Sequence, residues 1–542
     1  MANKKLFASL GGEPMTDTIN EAGGKAYSLE SEEALAQLAV TGCLNGTYYA
    51  SEEEQLNSVT EHIGKCKPEF VAKLAIYARE KAFMKDMPAL LAASLAHGNV
   101  ELLKKVFPRI IDNGKMLRNF VQMIRSGKFG RKSFGTSIKN LIKNWINGRD
   151  DKQIFFDSVG NDPSMADVIK MVHPKPKNEI RNNLFAYLIG KKFDLEKLPK
   201  VVHDFEKYKK EKTGEAPNVP FQMLTSLDLG TEQWTTIAKN AGWQMTRMNL
   251  NTFSRHGVLK DKKMVELIAK RLGDEAEIKK ARVFPYQIMM AYKAANPPRS
   301  RLDSYLEPDT KDDMPRKITD ALQDAMEIAV SNIPAFDGKV FVFPDVSGSM
   351  SSPITGHRKG STTAVRCIDA AALVAAAIMR KAKDACVIPF EQSVVNLKIN
   401  PRDSIMTIAE TIGSVGGGGT NCSAPLALIN KKNETGDLIV YISDNESWVD
   451  TAGASHLGRG CGCLTCRGGR TSTVNEWMKF KKRNPKAKMV CIDIQAYDTV
   501  QAPNSRDILN VGGFSDSVFD VIARFLGEPD ANWVKIIEEI KL

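Results

Sequence analysis

One stretch constrains the fold of this 542-residue chain more than any other: Lys339-Val-Phe-Val-Phe-Pro-Asp345-Val-Ser347-Gly-Ser349-Met. An apolar, β-rich run feeds directly into Asp-x-Ser-x-Ser. Further on, Gly416-Gly-Gly-Gly-Thr420-Asn follows a helical stretch, and Leu438-Ile-Val-Tyr-Ile-Ser-Asp444 ends in a second carboxylate. A hard divalent cation such as Mg²⁺ takes six oxygens in an octahedron and usually keeps some waters. Asp345, Ser347, Ser349, Thr420 and Asp444, gathered at the carboxyl ends of neighbouring strands, would supply such a set and leave one position open. The triplet alone could equally cap a helix. Its place after a buried-type strand, with Thr420 and Asp444 following in order, favours a site for Mg²⁺ or another divalent cation.

The sequence around this stretch sets the architecture. Strand-like runs (Ala385 to Phe390, Leu438 to Ser443, Met489 to Ile494) alternate with helical ones (Ser361 to Lys383, Ser404 to Ile412, Thr473 to Lys482). That alternation predicts a doubly wound parallel sheet with its ligand at the carboxyl ends of the strands. Pro344 and Pro389 interrupt strand-like runs, and proline, lacking a ladder donor, belongs at strand ends or bulges.

Residues 31–290 read mainly as helices. Ile138, Leu141, Ile142, Trp145 and Ile146 form one apolar face at helical spacing, and Phe70, Leu74 and Tyr77 form another. Short helices that are apolar on one side must stack to bury it, so a helical-repeat array is expected. No fixed sequence period is visible. A proline-rich, charged connector over 294–317 leads to a helix from Ile318 to Val330. The division read from this is a helical domain over 1–335 and an α/β domain over 336–542.

Charge and composition narrow the function. The net charge of +11 comes mostly from residues 1–335, with 51 Lys and Arg against 42 Asp and Glu; the remainder has 24 against 22. Between Lys104 and Arg149, twelve basic residues face one acid, Asp112. Uncompensated charge of that density repels itself unless a polyanion neutralises it. No apolar run approaches the ~20 residues of a membrane span, and no secretory signal is read at the amino terminus. Nine cysteines, an odd number and mostly scattered in apolar runs, favour a reducing, cytoplasmic setting.

The metal elements resemble the metal-ion-dependent adhesion site (MIDAS) of von Willebrand factor A domains. By that resemblance Ser347 and Ser349 bind the ion directly, Thr420 directly or through water, and Asp345 and Asp444 mostly through water. A partner's oxygen would fill the sixth position. The first part resembles the TROVE module of the Ro autoantigen family. The matching segments are Gly46-Thr-Tyr-Tyr49, Asp167-Val-Ile-Lys170-Met-Val-His173-Pro-Lys175-Pro, and Ala281-Arg-Val-Phe-Pro-Tyr. Gly419-Thr420-Asn-Cys and Ser443-Asp444-Asn-Glu-Ser-Trp are Ro-like details of the metal domain.

This resemblance implies a ring-like, HEAT-type helical repeat followed by the doubly wound domain, hence an α plus α/β chain. It implies binding of noncoding RNA, both Y-like structured RNA and the ends of misfolded RNA, in surveillance or as a scaffold for an exoribonuclease. Carried over by position, Lys139, Lys170, His173 and Lys175 are candidate RNA contacts. Lys132 and Lys143 join them on charge and spacing. A monomer without enzymatic activity is expected, since no nucleophile–base grouping or multi-acid nuclease cluster is visible. The competing reading is a metal-dependent adhesion scaffold whose helical part binds protein.

His456-x4-Cys461-x-Cys463-x2-Cys466 follows Asp444 in a Gly/Arg-rich insertion. These residues could give Zn²⁺ four ligands or form a surface loop with free thiols.

Overall fold

The computed structural model describes residues 15–42, 44–130, 132–281, 283, 285–296, 314–330, 333, 335–357, 365–448, 469–513, 516–528 and 532–542. His456, Cys461, Cys463, Cys466 and most of the 294–317 connector lie outside the described residues. Two compact units emerge, and they are not the linear halves expected. Residues up to Lys65 join Val330–Ile536 in one unit, while Cys66–Ala329 with Ile537–Leu542 form the other.

The described strands are β1 (Thr18–Ile19), β2 (Lys25–Ser28), β3 (Phe336–Pro344), β4 (Ala382–Val387), β5 (Leu438–Ser443), β6 (Lys488–Asp493), β7 (Thr499–Val500) and β8 (Ile508–Gly512). They explain why the boundary at 335 fails for the first 65 residues. β1 and β2 form an antiparallel hairpin, and β2 pairs with β7, Tyr27 opposite Val500. The helix Ser31–Thr41 packs on β8. The helix Glu52–Lys65 is tied to the same unit by the Ser58 hydroxyl, which donates to the Asp498 carboxylate at 2.8 Å. Backbone pairing therefore places this segment with the α/β unit.

That unit is built on a five-stranded parallel sheet in the order β4-β3-β5-β6-β8. The first two strands in sequence thus lie in reverse order, and the direction of winding switches between β3 and β5. In such sheets the crevice at the carboxyl end of the switch is where ligands bind. Every residue of β5, Leu-Ile-Val-Tyr-Ile-Ser, is buried, as a central strand covered on both faces must be. One face carries Phe341, Phe343, Tyr441, Trp477 and Phe480. The helix Cys367–Lys381 crosses β3, β4 and β5, and it is buried from Cys367 to Ile378. Its six alanines let its backbone approach the sheet. β4 is the edge, and it carries Lys383 and Asp384, charges that discourage a further strand from adding. Pro344 is the last residue of β3 and Pro389 lies beyond the end of β4, so neither removes a donor from the middle of a ladder.

The other unit is a succession of helices in which contacts run mainly between near neighbours in sequence. Pro68–Glu80 packs on Asp86–Leu95 and Val100–Ile110, and Asp86–Leu95 packs on Gly114–Arg125. The helix Thr136–Gly148 buries Ile138, Ile142 and Ile146, the face read from its spacing. Met165–Val172 packs against both Gly114–Arg125 and Thr136–Gly148. Such local pairing is the logic of a repeat array.

Candidate metal site and nucleic-acid interface

Backbone geometry brings the five metal candidates to the sheet switch. Asp345 directly follows β3 and its N–H donates to Ile442 O of β5 at 2.9 Å, while Asp444 directly follows β5. The glycine loop reaches this turn by two main-chain bonds: Gly417 N–H donates to Val346 O at 2.9 Å and Gly348 N–H to Gly418 O at 2.8 Å. Gly416 has φ of +91°, and a Cβ there would sit 2.1 Å from Val346 O. Only glycine lets the loop lie this close and present Thr420. Gly416→Ala is expected to lower the stability of the full chain by about 2 kcal/mol and to erase any response to Mg²⁺, both read from denaturant melts. A fully wild-type melt would remove the loop from the argument.

Asp345, Ser347, Ser349, Thr420 and Asp444 are all buried. Asp345 Oδ1 accepts the Ser347 N–H at 2.8 Å, its Oδ2 accepts the Ser443 hydroxyl at 2.6 Å, and the Ser347 and Ser349 hydroxyls lie 3.3 Å apart. Burial, then the neighbouring Asp444, raises the Asp345 carboxyl above its ordinary value; burial also raises Asp444. No lysine, arginine or histidine among the described residues pairs with either.

The crevice holds two further acids that the sequence reading left unassigned. Glu446 accepts Ala22 N–H at 3.1 Å through Oε2, and Asp493 accepts the Asn445 side-chain amide at 2.6 Å through Oδ1. Their other oxygens are buried without a hydrogen-bond partner among the described residues. Burial, then Asp444, raises both carboxyls. Buried acids that lack a positive partner, two of them with an orphaned oxygen, fit a cation. Among the described residues no cluster of three or more His, Cys, Asp and Glu side chains is arranged to hold an ion. An ion here would therefore rest on hydroxyls as well as carboxylates, the donor set of a hard divalent cation.

The sequence reading also missed Tyr49 and Tyr497. Tyr49 packs edge-on against Tyr497, with ring centroids 5.8 Å apart, and burial, then the charge of Asp444, raises both phenols above their ordinary value. Tyr49 stands in the Gly-Thr-Tyr-Tyr element, but nothing local links that element to a strand end some 300 residues away.

The RNA candidates fall on neighbouring helices of the helical unit. Lys139 and Lys143 project from Thr136–Gly148, the first exposed and the second half-buried. Lys170 lies in the last turn of Met165–Val172. His173 caps that helix in the left-handed conformation, φ 50°, and Pro174 is buried while His173 and Lys175 are exposed. Lys132 is exposed as well, and its aliphatic stem covers Gly127.

Asp167, the acid nearest to Lys170 in sequence, is engaged elsewhere. It completes a capping box in which its Oδ2 accepts the Ser164 N–H at 2.9 Å and the hydroxyl at 2.7 Å. Those bonds hold its carboxyl below its ordinary value. Arg125, at the end of Gly114–Arg125, reaches Met171 Sδ at 2.7 Å. It therefore joins the same face, though sequence reasoning counted it only within the basic stretch.

The twelve-to-one imbalance is smaller in three dimensions than along the chain. Lys104 pairs with Glu101 at 2.7 Å, Arg109 with Glu80 at 2.7 Å and Arg149 with Asp157 at 3.3 Å, all acids outside the counted window. Arg118 is buried and donates to Asp157 O at 2.7 Å. Within the stretch Lys105, Lys115, Lys132 and Lys139 are exposed without an ion pair among the described residues, and beyond it so are Lys170 and Lys175. The unpaired positive charge is thus smaller than the count along the chain suggests.

Comparison with known proteins agrees with this architecture. The profile of the Ro60 vWA domain matches residues 339–456, and that of the TROVE domain matches residues 222–330. The "RNA-binding protein RO60" of Deinococcus radiodurans is 24% identical over 536 residues, 93% of this chain and 94% of that protein. A Caenorhabditis elegans protein of the same name is 23% identical over 299 residues, 54% of this chain and 41% of that one. The crystal structure of the Deinococcus radiodurans RO (RSR) protein superimposes with a TM-score of 0.62 at 22% identity, covering 92% of this chain and all of that one. The basic helices lie ahead of the matched TROVE segment, so their role must be argued from their own chemistry. The chain thus carries a segment that matches the TROVE domain followed by one that matches the Ro60 vWA domain, and it is similar over nearly its whole length to the RNA-binding protein RO60 of Deinococcus radiodurans.

Proposed function

We propose that this protein binds noncoding RNA through its helical unit, acting as a binding component rather than a catalyst. The observation that carries the reading is the face formed by Lys132, Lys139, Lys170, His173 and Lys175. Lysines held on adjacent helices without acid partners retain counterions that a phosphate backbone displaces on binding, which favours association. The relatives' name, RNA-binding protein, supports the same chemistry. The RNA it selects is Y-like structured RNA and the ends of misfolded RNA, in surveillance or as a scaffold for a nuclease. Mg²⁺ at Asp345, Ser347, Ser349, Thr420 and Asp444 would serve the α/β unit as a docking point for an oxygen donor of that protein partner. We place the protein in the cytoplasm as a monomer. No described helix is long and apolar enough to cross a membrane, and Cys66, Cys367, Cys386, Cys422 and Cys491 are free thiols.

Crosslinking in cells followed by sequencing of the bound RNA tests the proposal. Recovery of small structured RNAs supports it; recovery of no RNA above a mock control removes it. Arg125→Ala is expected to weaken binding of a small structured RNA about 5-fold and to shallow the salt slope by about one unit, measured by filter binding. An unchanged slope would exclude Arg125 from the contact face.

A further inference from the structure

A cleft of about 450 Å³ opens in the helical unit beside the helix Met165–Val172. Rings from three other helices form part of its lining: Phe155 of Asp151–Asp157, Tyr187 of Glu179–Ile189 and Phe205 of Lys200–Glu211. Phe155 packs against the other two, with ring centroids 6.3 Å from Tyr187 and 5.7 Å from Phe205. The Tyr187 hydroxyl donates to Glu206 Oε1 at 2.6 Å, which fixes the orientation of its ring. Phe155 and Phe205 are buried and Tyr187 is half-buried, so the Tyr187 ring is the one most open to a ligand.

The polar groups of the cleft are of two kinds. The Ser158 and Ser226 hydroxyls are engaged locally, donating to Phe155 O at 2.6 Å and Met223 O at 2.7 Å. Asn161 and Gln222 are exposed, and neither side-chain amide is hydrogen-bonded to another described residue. No Lys, Arg, His, Asp or Glu lines the cleft among the described residues. A phosphate would find no counter-charge inside. A neutral planar ring could stack on the aromatic wall and meet amides that both donate and accept. Cationic charge lies just outside. Ala166 lines the cleft, and Lys170 follows it by one turn on the same helix face, exposed and without an ion pair among the described residues.

We propose that this cleft takes an unpaired nucleobase of the bound RNA, with the adjoining phosphate held outside it by Lys170. The site rests on the RNA-binding reading: lysines hold the backbone, and the cleft recognises the base. The aromatic wall accepts any base, while Asn161 and Gln222 favour one base edge over another.

Filter binding of a short oligouridine, and of an abasic chain of equal length and charge, tests this with the full protein. Wild type is expected to bind oligouridine about 10-fold more tightly than the abasic chain. Ala166→Phe, which fills the cleft, should bring the two affinities to within about 2-fold of each other. Its salt slope should stay parental, because the lysines remain. Asn161→Ala with Gln222→Ala removes two exposed amides and should reduce the preference about 3-fold. An undiminished preference in folded Ala166→Phe, or in the double variant if Ala166→Phe does not fold, would overturn the cleft as a base site. Equal binding of the two chains by wild type would overturn it as well and leave the lysine face standing. So would failure to bind either chain while a small structured RNA still binds. Failure to bind any of the three would overturn the RNA-binding reading and this site together.

Discussion

Replacing Lys139, Lys170 and Lys175 together with alanine is expected to weaken binding of single-stranded RNA about 100-fold at 0.1 M salt, with little difference left near 1 M. Each lysine that neutralises a phosphate releases a counterion, which for a single strand contributes roughly 0.7 to the slope of log K against log salt. Losing three contacts should therefore shallow the slope by about 2. The three side chains are exposed and make no ion pair among the described residues, so the variant should retain parental stability to within about 0.5 kcal/mol. Its thermal melt checks that the loss is not unfolding. Lys279→Ala is the control, since that lysine already pairs with Glu275 and should bind like the parent. Filter binding across the salt range decides the matter. Parental affinity of the triple variant at every salt concentration would mean that RNA, if bound, uses another surface.

The face behind this expectation was legible in the sequence only in part. Counting charge along the chain located the region, because lysines on consecutive short helices cannot be far apart in space. It overstated the excess, because Glu80 and Asp157, which pair with Arg109 and Arg149, come from outside the counted window. Central strand β5 was legible because a strand buried on both faces must be a continuous apolar run. β8 was missed because Ile508-Leu-Asn-Val-Gly is broken by a polar residue. Asn510 is tolerated there because its side chain donates to Ala502 O at 2.9 Å, a bond that no local pattern announces. The pairing of Tyr27 with Val500 is the same lesson at longer range. The hairpin of residues 18–28 has no strong strand signal of its own and is fixed by a partner more than 450 residues away. The metal turn was readable at Asp345, Ser347 and Ser349, where motif and strand end coincide. Glu446 and Asp493 join it through the fold, not through the motif.

Mg²⁺ is expected to stabilise the full chain, and the effect should grow with pH. The full chain is the proper sample because residues 15–65 belong to the α/β unit; a fragment starting at 337 would lack β2 and the helix that covers β8. At a concentration 100-fold above its dissociation constant, a ligand that binds only the native state adds about 2.7 kcal/mol. For a unit of this size that is a rise in Tm of roughly 5–10 °C. The sign of the pH dependence follows from the raised carboxyls. Asp345 and Asp444 hold protons more tightly folded than unfolded, so in the absence of metal their contribution is most favourable at low pH. It is lost as pH rises from the ordinary carboxylate range, about 4, toward their raised values. Mg²⁺ competes with those protons, so the gap between metal-bound and metal-free Tm should widen over the same interval. Asp345→Asn removes the charge at nearly constant shape. It should raise the metal-free Tm at pH 8 and abolish the Mg²⁺ response, whereas a merely structural turn would lose stability on the same substitution. A wild-type Tm that ignores Mg²⁺ and Mn²⁺ at pH 8 would leave the buried carboxylates without a counter-charge, and they would then have to be held as neutral acids hydrogen-bonded to the serines around them.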